Sequence, residues 1–270
     1  MTKDVEVTCR VCGSDGKLTI EHILPRVAGG GEKTKIFTGD EMIKAAVRRQ
    51  DTPKEEDEKP YGIIQQNGFT KRTLCKSCNS HSGKYYDKDF AALYNAVRYF
   101  VYQQTKDRGF TTIEEQDEFL SDKGLSLKLT KLKPHNITKR VLVAFCSVEH
   151  PGLTDRNPEI RKAIMQKEYK PDTSKFSIYF TPHIGANGYF GTLAALGGGV
   201  SHAYAGIELG PIAFYLSDHD AHTKGGPLEK CIDITYWLTD YEYDEEAGEL
   251  EIFANFEKSF ALNIPSWAFE

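Results

Sequence analysis

Cys9-Arg10-Val11-Cys12 and Glu21-His22-Ile23-Leu24-Pro25, answered by Leu74-Cys75-Lys76-Ser77-Cys78-Asn79, decide how this chain is read. Each Cys-x-x-Cys pair sets two thiolates a short turn apart, which supplies half of a tetrahedral metal site. Two pairs complete the set. Four thiolates leave no position open for water, so the Zn2+ they predict is structural. Glu21, His22 and Asn79 are surplus to that site and need another purpose. The gap between the two pairs is long for a simple finger, so something is built between them.

Working outward, residues 5–12 read as a short strand running into the first pair, and Lys17 to Ile20 as a second strand with the Glu-His step at its end. Gly29-Gly30-Gly31 breaks the chain. A helix over Asp40 to Arg49 and a charged loop over Asp51 to Pro60 follow, the loop read as a solvated insertion. Phe69 to Leu74 predicts a strand into the second pair, and a helix starts near Asn79. Phe90, Leu93, Tyr94, Val97, Phe100 and Val101 recur at helical spacing. Further helices are expected over Ile113 to Leu120, over 137–149 as a buried helix, and from Pro158 to about Lys167. After Pro171 the texture becomes β-branched and aromatic. Strands are expected at Phe176 to Phe180, Ala203 to Ile207, Ile212 to Leu216, Ile232 to Leu238 and Leu250 to Phe256. The class is therefore α+β, divided into a motif-bearing module over 1–105 and an accessory region over 106–270.

A net charge of −5 argues against a broad, non-specific grip on nucleic acid. It leaves room for a local one, since Lys71, Arg72, Lys76 and Lys84 cluster around the second Cys pair. No apolar run is long enough to span a bilayer. The start, MTKDVEVTCR, lacks an apolar signal core and predicts a cytoplasmic protein, which favours metal over cystine at the paired thiols. Cys146 and Cys231 read as buried free thiols.

Hydrolysis of a phosphodiester needs a base to activate water and a cation to stabilise charge. Neighbouring residues at a strand end point to opposite sides, so Glu21 and His22 can take different tasks. A Glu carboxylate and an Asn carbonyl oxygen suit Mg2+ or Mn2+, which keep several waters and take a substrate phosphate as a further ligand.

Cys-x-x-Cys, then Glu-His-Ile-x-Pro, then Leu-Cys-x-x-Cys-Asn with Gly83 after it, resembles the HNH endonucleases. It is similar in particular to the bacterial and phage branch with two zinc-binding Cys pairs. The resemblance covers residues 9 to about 88. It implies a ββα-metal (His-Me finger) module with structural zinc, followed by a helical segment and a strand-rich C-terminal region. It implies His22 as general base, and Glu21 and Asn79 as ligands of the catalytic divalent cation. The middle residue of the signature matches Asn67, a few residues upstream of the usual spacing; a neighbouring backbone or Thr70 is the alternative. His81 and Lys84 are candidate phosphate contacts, each also readable as a plain surface residue, and Asp87 is readable either way.

The implied activity is hydrolysis of DNA, in a host-defence, restriction or phage setting. Residues 106–270 would recognise DNA, a protein partner or an activating signal. The competing readings are a catalytically inactive zinc module that binds nucleic acid or protein, and a four-Cys iron–sulfur cluster. Asp218-His219-Asp220-Ala221-His222 reads as a polar loop and Gly197-Gly198-Gly199 as a turn.

Overall fold

In a computed structural model of the chain, the described residues are 7–38, 62–110, 115, 118–120, 124–149, 151–184, 187–197, 200–217, 228–254 and 257–258. The helix expected over Asp40 to Arg49, the charged loop, half of the Ile113–Leu120 segment and the Asp218–His222 cluster lie outside them. The architecture is α+β.

The motif region opens with a two-residue pair, β1 (Val7–Thr8) and β2 (Asp15–Gly16), that carries the first Cys turn between its strands. Next come β3 (Leu18–His22), a 3-10 turn at Arg26–Ala28, β4 (Thr34–Thr38), β5 (Ile63–Gln65) and β6 (Thr70–Cys75). Strands β3 and β6 pair antiparallel, with Glu21 opposite Lys71 and His22 opposite Thr70. Their register slips between Thr19 and Ile20, where Thr73 is the extra residue. Such a bulge bends a strand and re-aims its neighbours. Here the Thr73 carbonyl accepts the Arg10 backbone N–H, which ties the first Cys turn to the second strand. Helix α1 (Lys76–Tyr85) then leaves Cys75 directly, placing Cys78 and Asn79 in its first turn. Helix α2 (Asp87–Thr105) follows after one residue; Asp87 and Asp89 sit in its first turn, where they complement the helix dipole. Its Phe90, Leu93, Tyr94 and Val97 are buried at helical spacing.

The rest of the chain supplies β7 (Leu125–Leu129), α3 (Pro134–Val148), α4 (Leu153–Arg156), α5 (Pro158–Met165), β8 (Ser177–Ile184), β9 (Asn187–Gly197), β10 (Val200–Glu208), β11 (Ile212–Ser217), β12 (Ile232–Asp233), β13 (Leu250–Ala254) and β14 (Glu257–Lys258). An eight-stranded sheet runs in the order β12-β8-β11-β10-β9-β4-β5, with β14 also against β8. Strand β4 joins β9 in parallel and β5 pairs antiparallel with β4. The segment between the two halves of the motif thus contributes its ends to the large sheet.

Helix α3 is buried along its whole length. It packs against α2, α5 and β6 on one side and against β9 and β10 of the sheet on another. The main cluster of buried side chains runs from Cys9 to Ile252 and draws on both sides of residue 105.

Several sequence expectations change. The run Ile232 to Leu238 is a two-residue strand followed by a 3-10 turn at Thr235–Leu238. The Asp233 carboxylate accepts the Thr235 backbone N–H at 2.8 Å, and the Thr235 hydroxyl accepts the Ile178 backbone N–H at 2.8 Å. The first bond turns the chain locally and the second anchors that turn on β8, so a longer ladder does not form. Strand β9 was not expected, because Gly188, Gly191, Ala194, Ala195 and Gly197 blur the alternation that marks a strand. Strands β4, β5 and β7 were not expected either, and the helix expected from near Asn79 is two helices, broken at Tyr86.

Candidate functional site

The four motif thiols meet where β1, β2 and β6 run into α1. The Sγ atoms of Cys9, Cys12, Cys75 and Cys78 all lie within 4.8 Å of one another, and Cys12 and Cys75 are 3.8 Å apart. A tetrahedron with metal–sulfur bonds of about 2.3 Å has edges of about 3.8 Å. The donor set and the spacing therefore fit one metal ion. Main-chain support is present too, since the Cys75 backbone N–H donates to Cys9 Sγ at 3.3 Å. A hydrogen bond from Cys78 holds the Cys9 thiol down to about 4, while its partner Cys78 is pushed up. The thiolate is the form that binds metal.

A second site lies across the β3–β6 pair. A pocket of about 140 Å³ is lined by Glu21, His22, Arg26, Asn79, Asp87 and Arg140, among others. The strand end separates Glu21 and His22 as alternation requires: Glu21 is buried and His22 half-buried.

Two hydrogen bonds settle the direction of the Asn79 amide. Its Nδ2 donates to the Ile20 carbonyl at 2.8 Å and to Thr19 Oγ1 at 2.9 Å. A carbonyl can only accept, so the amide nitrogen faces the strand. The Thr19 hydroxyl spends its own proton on the Leu74 carbonyl. Both Asn79 donors are used, which leaves Oδ1 as the acceptor end of the side chain.

The His22 ring is set in the same way. Arg26 Nε donates to His22 Nε2 at 3.2 Å, and the backbone of Asn67 also hydrogen-bonds the ring. With Nε2 accepting, the ring proton sits on Nδ1. Burial, and then the nearby Arg26 charge, lower the His22 pKa, so the ring is neutral and has a basic nitrogen at neutral pH. Asn67 therefore meets His22 through its backbone, while its side chain belongs to an exposed residue.

Glu21 is held from the far side. Its Oε2 accepts the Ser147 hydroxyl in a short hydrogen bond, and its Oε1 is 3.3 Å from Arg140 Nη1. Burial pushes the carboxyl up to about 7, against the pull of Arg140 and Ser147. Arg140 Nε donates to Asp87 Oδ1 at 2.7 Å, which brings a second carboxylate to the pocket.

His81 and Lys84 sit elsewhere on α1. The His81 Nε2 is 3.3 Å from the Tyr86 hydroxyl, and the Lys84 ammonium lies over the Tyr85 ring at 4.8 Å. Neither lines the pocket. Sequence reasoning left Asp87 open and missed Arg26, Ser147 and Arg140. The signal for Arg140 was present: a charge next to the apolar run Val141 to Cys146 of a buried helix needs a buried partner. No helix among the described residues is long and apolar enough to cross a membrane. No family model, curated protein or solved structure matches the chain.

Proposed function

We propose that the protein is a metal-dependent endonuclease of the HNH type that hydrolyses DNA. The observation that carries this reading is one pocket holding a neutral histidine with a basic nitrogen, an amide oxygen and two carboxylates. That combination sits directly beside the four-thiol site, which we read as structural Zn2+.

The oxygen donors available to a Mg2+ or Mn2+ ion are Asn79 Oδ1, Glu21 Oε1 and the second carboxylate oxygen of Asp87. Hard oxygen ligands of this kind suit those ions. Such an ion would supply charge stabilisation for the phosphate and the leaving oxygen. His22 supplies the base. Its Nδ1 proton is fixed by the Asn67 backbone, which leaves Nε2 to take a proton from water. Arg26, which covers Nε2, is the group that an incoming phosphate would draw away, since a guanidinium pairs more strongly with a phosphate than with a neutral ring. Residues 106–270 take part through Arg140 and Ser147. The acidic chain would grip DNA only locally, consistent with an enzyme that acts when brought to its target.

Plasmid and single-stranded DNA are incubated with the protein in Mg2+ or Mn2+, beside His22→Ala. Wild type is expected to cut, and His22→Ala to lose roughly 100-fold or more of that rate, the usual share of a general base. Absence of cutting by wild type with either ion, or equal cutting by His22→Ala, refutes the reading in favour of a binding module.

A further inference from the structure

We infer that Arg140 is a positioning residue of this pocket, so that helix α3, far outside the motif, completes the site. The inference rests on the nuclease reading of the pocket and extends it to the C-terminal half of the chain.

A guanidinium offers five N–H donors in a rigid planar fork. Arg140 spends them on the pocket. Nε binds Asp87 Oδ1 at 2.7 Å. Nη2 binds the carbonyl oxygens of His22 at 2.6 Å and of Ile23 at 3.1 Å. Nη1 stands 3.3 Å from Glu21 Oε1. One side chain therefore fixes the main chain at the base, one carboxylate on β3 and another on α2. Ser147, seven residues on and so on the same helix face, donates to the other Glu21 oxygen.

The side chain is only 2% exposed. Burying a guanidinium carries a desolvation cost of several kcal/mol, which holds only where its donors are matched. Nη1 and Glu21 Oε1 meet as an ion pair at 3.3 Å without a hydrogen bond to either among the described residues, and both residues line the pocket. A buried cation and carboxylate held against each other at a pocket wall fix the position of the Glu21 side chain there. The adjacent Lys139 shows what a purely structural buried cation looks like on the same helix. Its Nζ donates to the Gln166 and Lys167 carbonyls at 2.7 Å, away from the pocket.

The test compares Arg140→Lys, Ser147→Ala and Lys139→Met in the full chain. Cleavage gives kcat and KM; hydrogen exchange followed by mass spectrometry reads the backbone amides of segment 20–25, those of residues 20–24. Arg140→Lys keeps the charge and loses the fork. Its kcat should fall about 100-fold, the scale of a misplacement of about 1 Å, with KM for DNA changed only a few-fold. Exchange over 20–25 should rise. Lys139→Met should lower the thermal midpoint while leaving kcat and that exchange as in wild type. Unchanged kcat in Arg140→Lys, or an equal fall in Lys139→Met, overturns the inference. If Arg140→Lys does not fold, Ser147→Ala decides: a roughly 10-fold lower kcat supports the inference, and wild-type kcat with wild-type exchange overturns it. If wild type cuts no DNA, the nuclease reading falls by itself. The exchange over 20–25 then decides the role of Arg140, for or against.

Discussion

Gly30 and Gly68 interlock behind strand β3, and neither position admits a side chain. A Cβ on Gly30 would lie 1.6 Å from the Leu24 carbonyl oxygen. A Cβ on Gly68 would lie 1.8 Å from the Gly30 carbonyl oxygen, and Gly68 has φ +74°. These are backbone atoms, so the clash can be relieved only by moving the loop that follows His22 or the loop that carries Asn67. Gly30→Ala should therefore lower stability by roughly 1–3 kcal/mol, the range for overpacking. It should also lower the rate of DNA cutting, because both loops hold the His22 ring. Thermal unfolding and plasmid cleavage, measured on the same preparation, check the two effects. The Gly cluster was legible in the sequence as a break, and the paired contact was not. A glycine shows that a position is special; only the second loop shows what it faces.

At the scale of elements, the β3–β6 pair and α1 form a frame too small to bury a core of its own. The thiols pin it at one end and α3 supports it from beneath. If the ion is zinc, purified protein holds one Zn2+ per chain by atomic absorption and shows no visible charge-transfer colour. Cys78→Ser should lose that ion, since three donors and a water make a weaker site, and should unfold several degrees lower. A brown protein with iron would overturn the zinc assignment. The thiols, His22, Glu21 and Asn79 were legible because each belongs to a motif with short, regular spacing. Arg140 and Ser147 were not, because their partners are remote in the chain: Ser147 and Glu21 are 126 residues apart. Helix α3 was readable as buried from its apolar run, while the direction of its two charged residues was set by what packs on it. Strand β12 fell short of its expected length because the Asp233 carboxylate takes the Thr235 backbone N–H and turns the chain.

Across the whole molecule, α3 concentrates buried polar groups, and that concentration makes stability depend on pH in a defined sense. His135 is fully buried at the start of α3, with Nε2 3.1 Å from the Lys167 carbonyl. Burial, helped by the Lys139 charge, lowers its pKa from 6.5 to about 4. Between those values the unfolded chain takes up a proton that the folded chain refuses. The contribution of neutral His135 is thus complete above pH 6.5 and is lost as the pH falls through 4. Glu21 works in the opposite sense. Its carboxyl is raised from 4.5 to about 7, so the folded chain holds the extra proton there, and that contribution is complete below pH 4.5 and lost as the pH rises through 7. The two windows overlap, and the total for wild type hides both. The difference between wild type and His135→Gln isolates one of them. That difference in unfolding free energy should be largest near pH 7.5 and shrink towards pH 4 by at most about 3 kcal/mol, at about 1.4 kcal/mol per pH unit. Urea unfolding of both proteins at pH 4, 5.5 and 7.5 measures it. A difference that stays constant across that range would show that His135 has the same pKa folded and unfolded, and one that grows towards low pH would show that the fold holds it charged, with the Lys167 carbonyl rather than burial governing its proton.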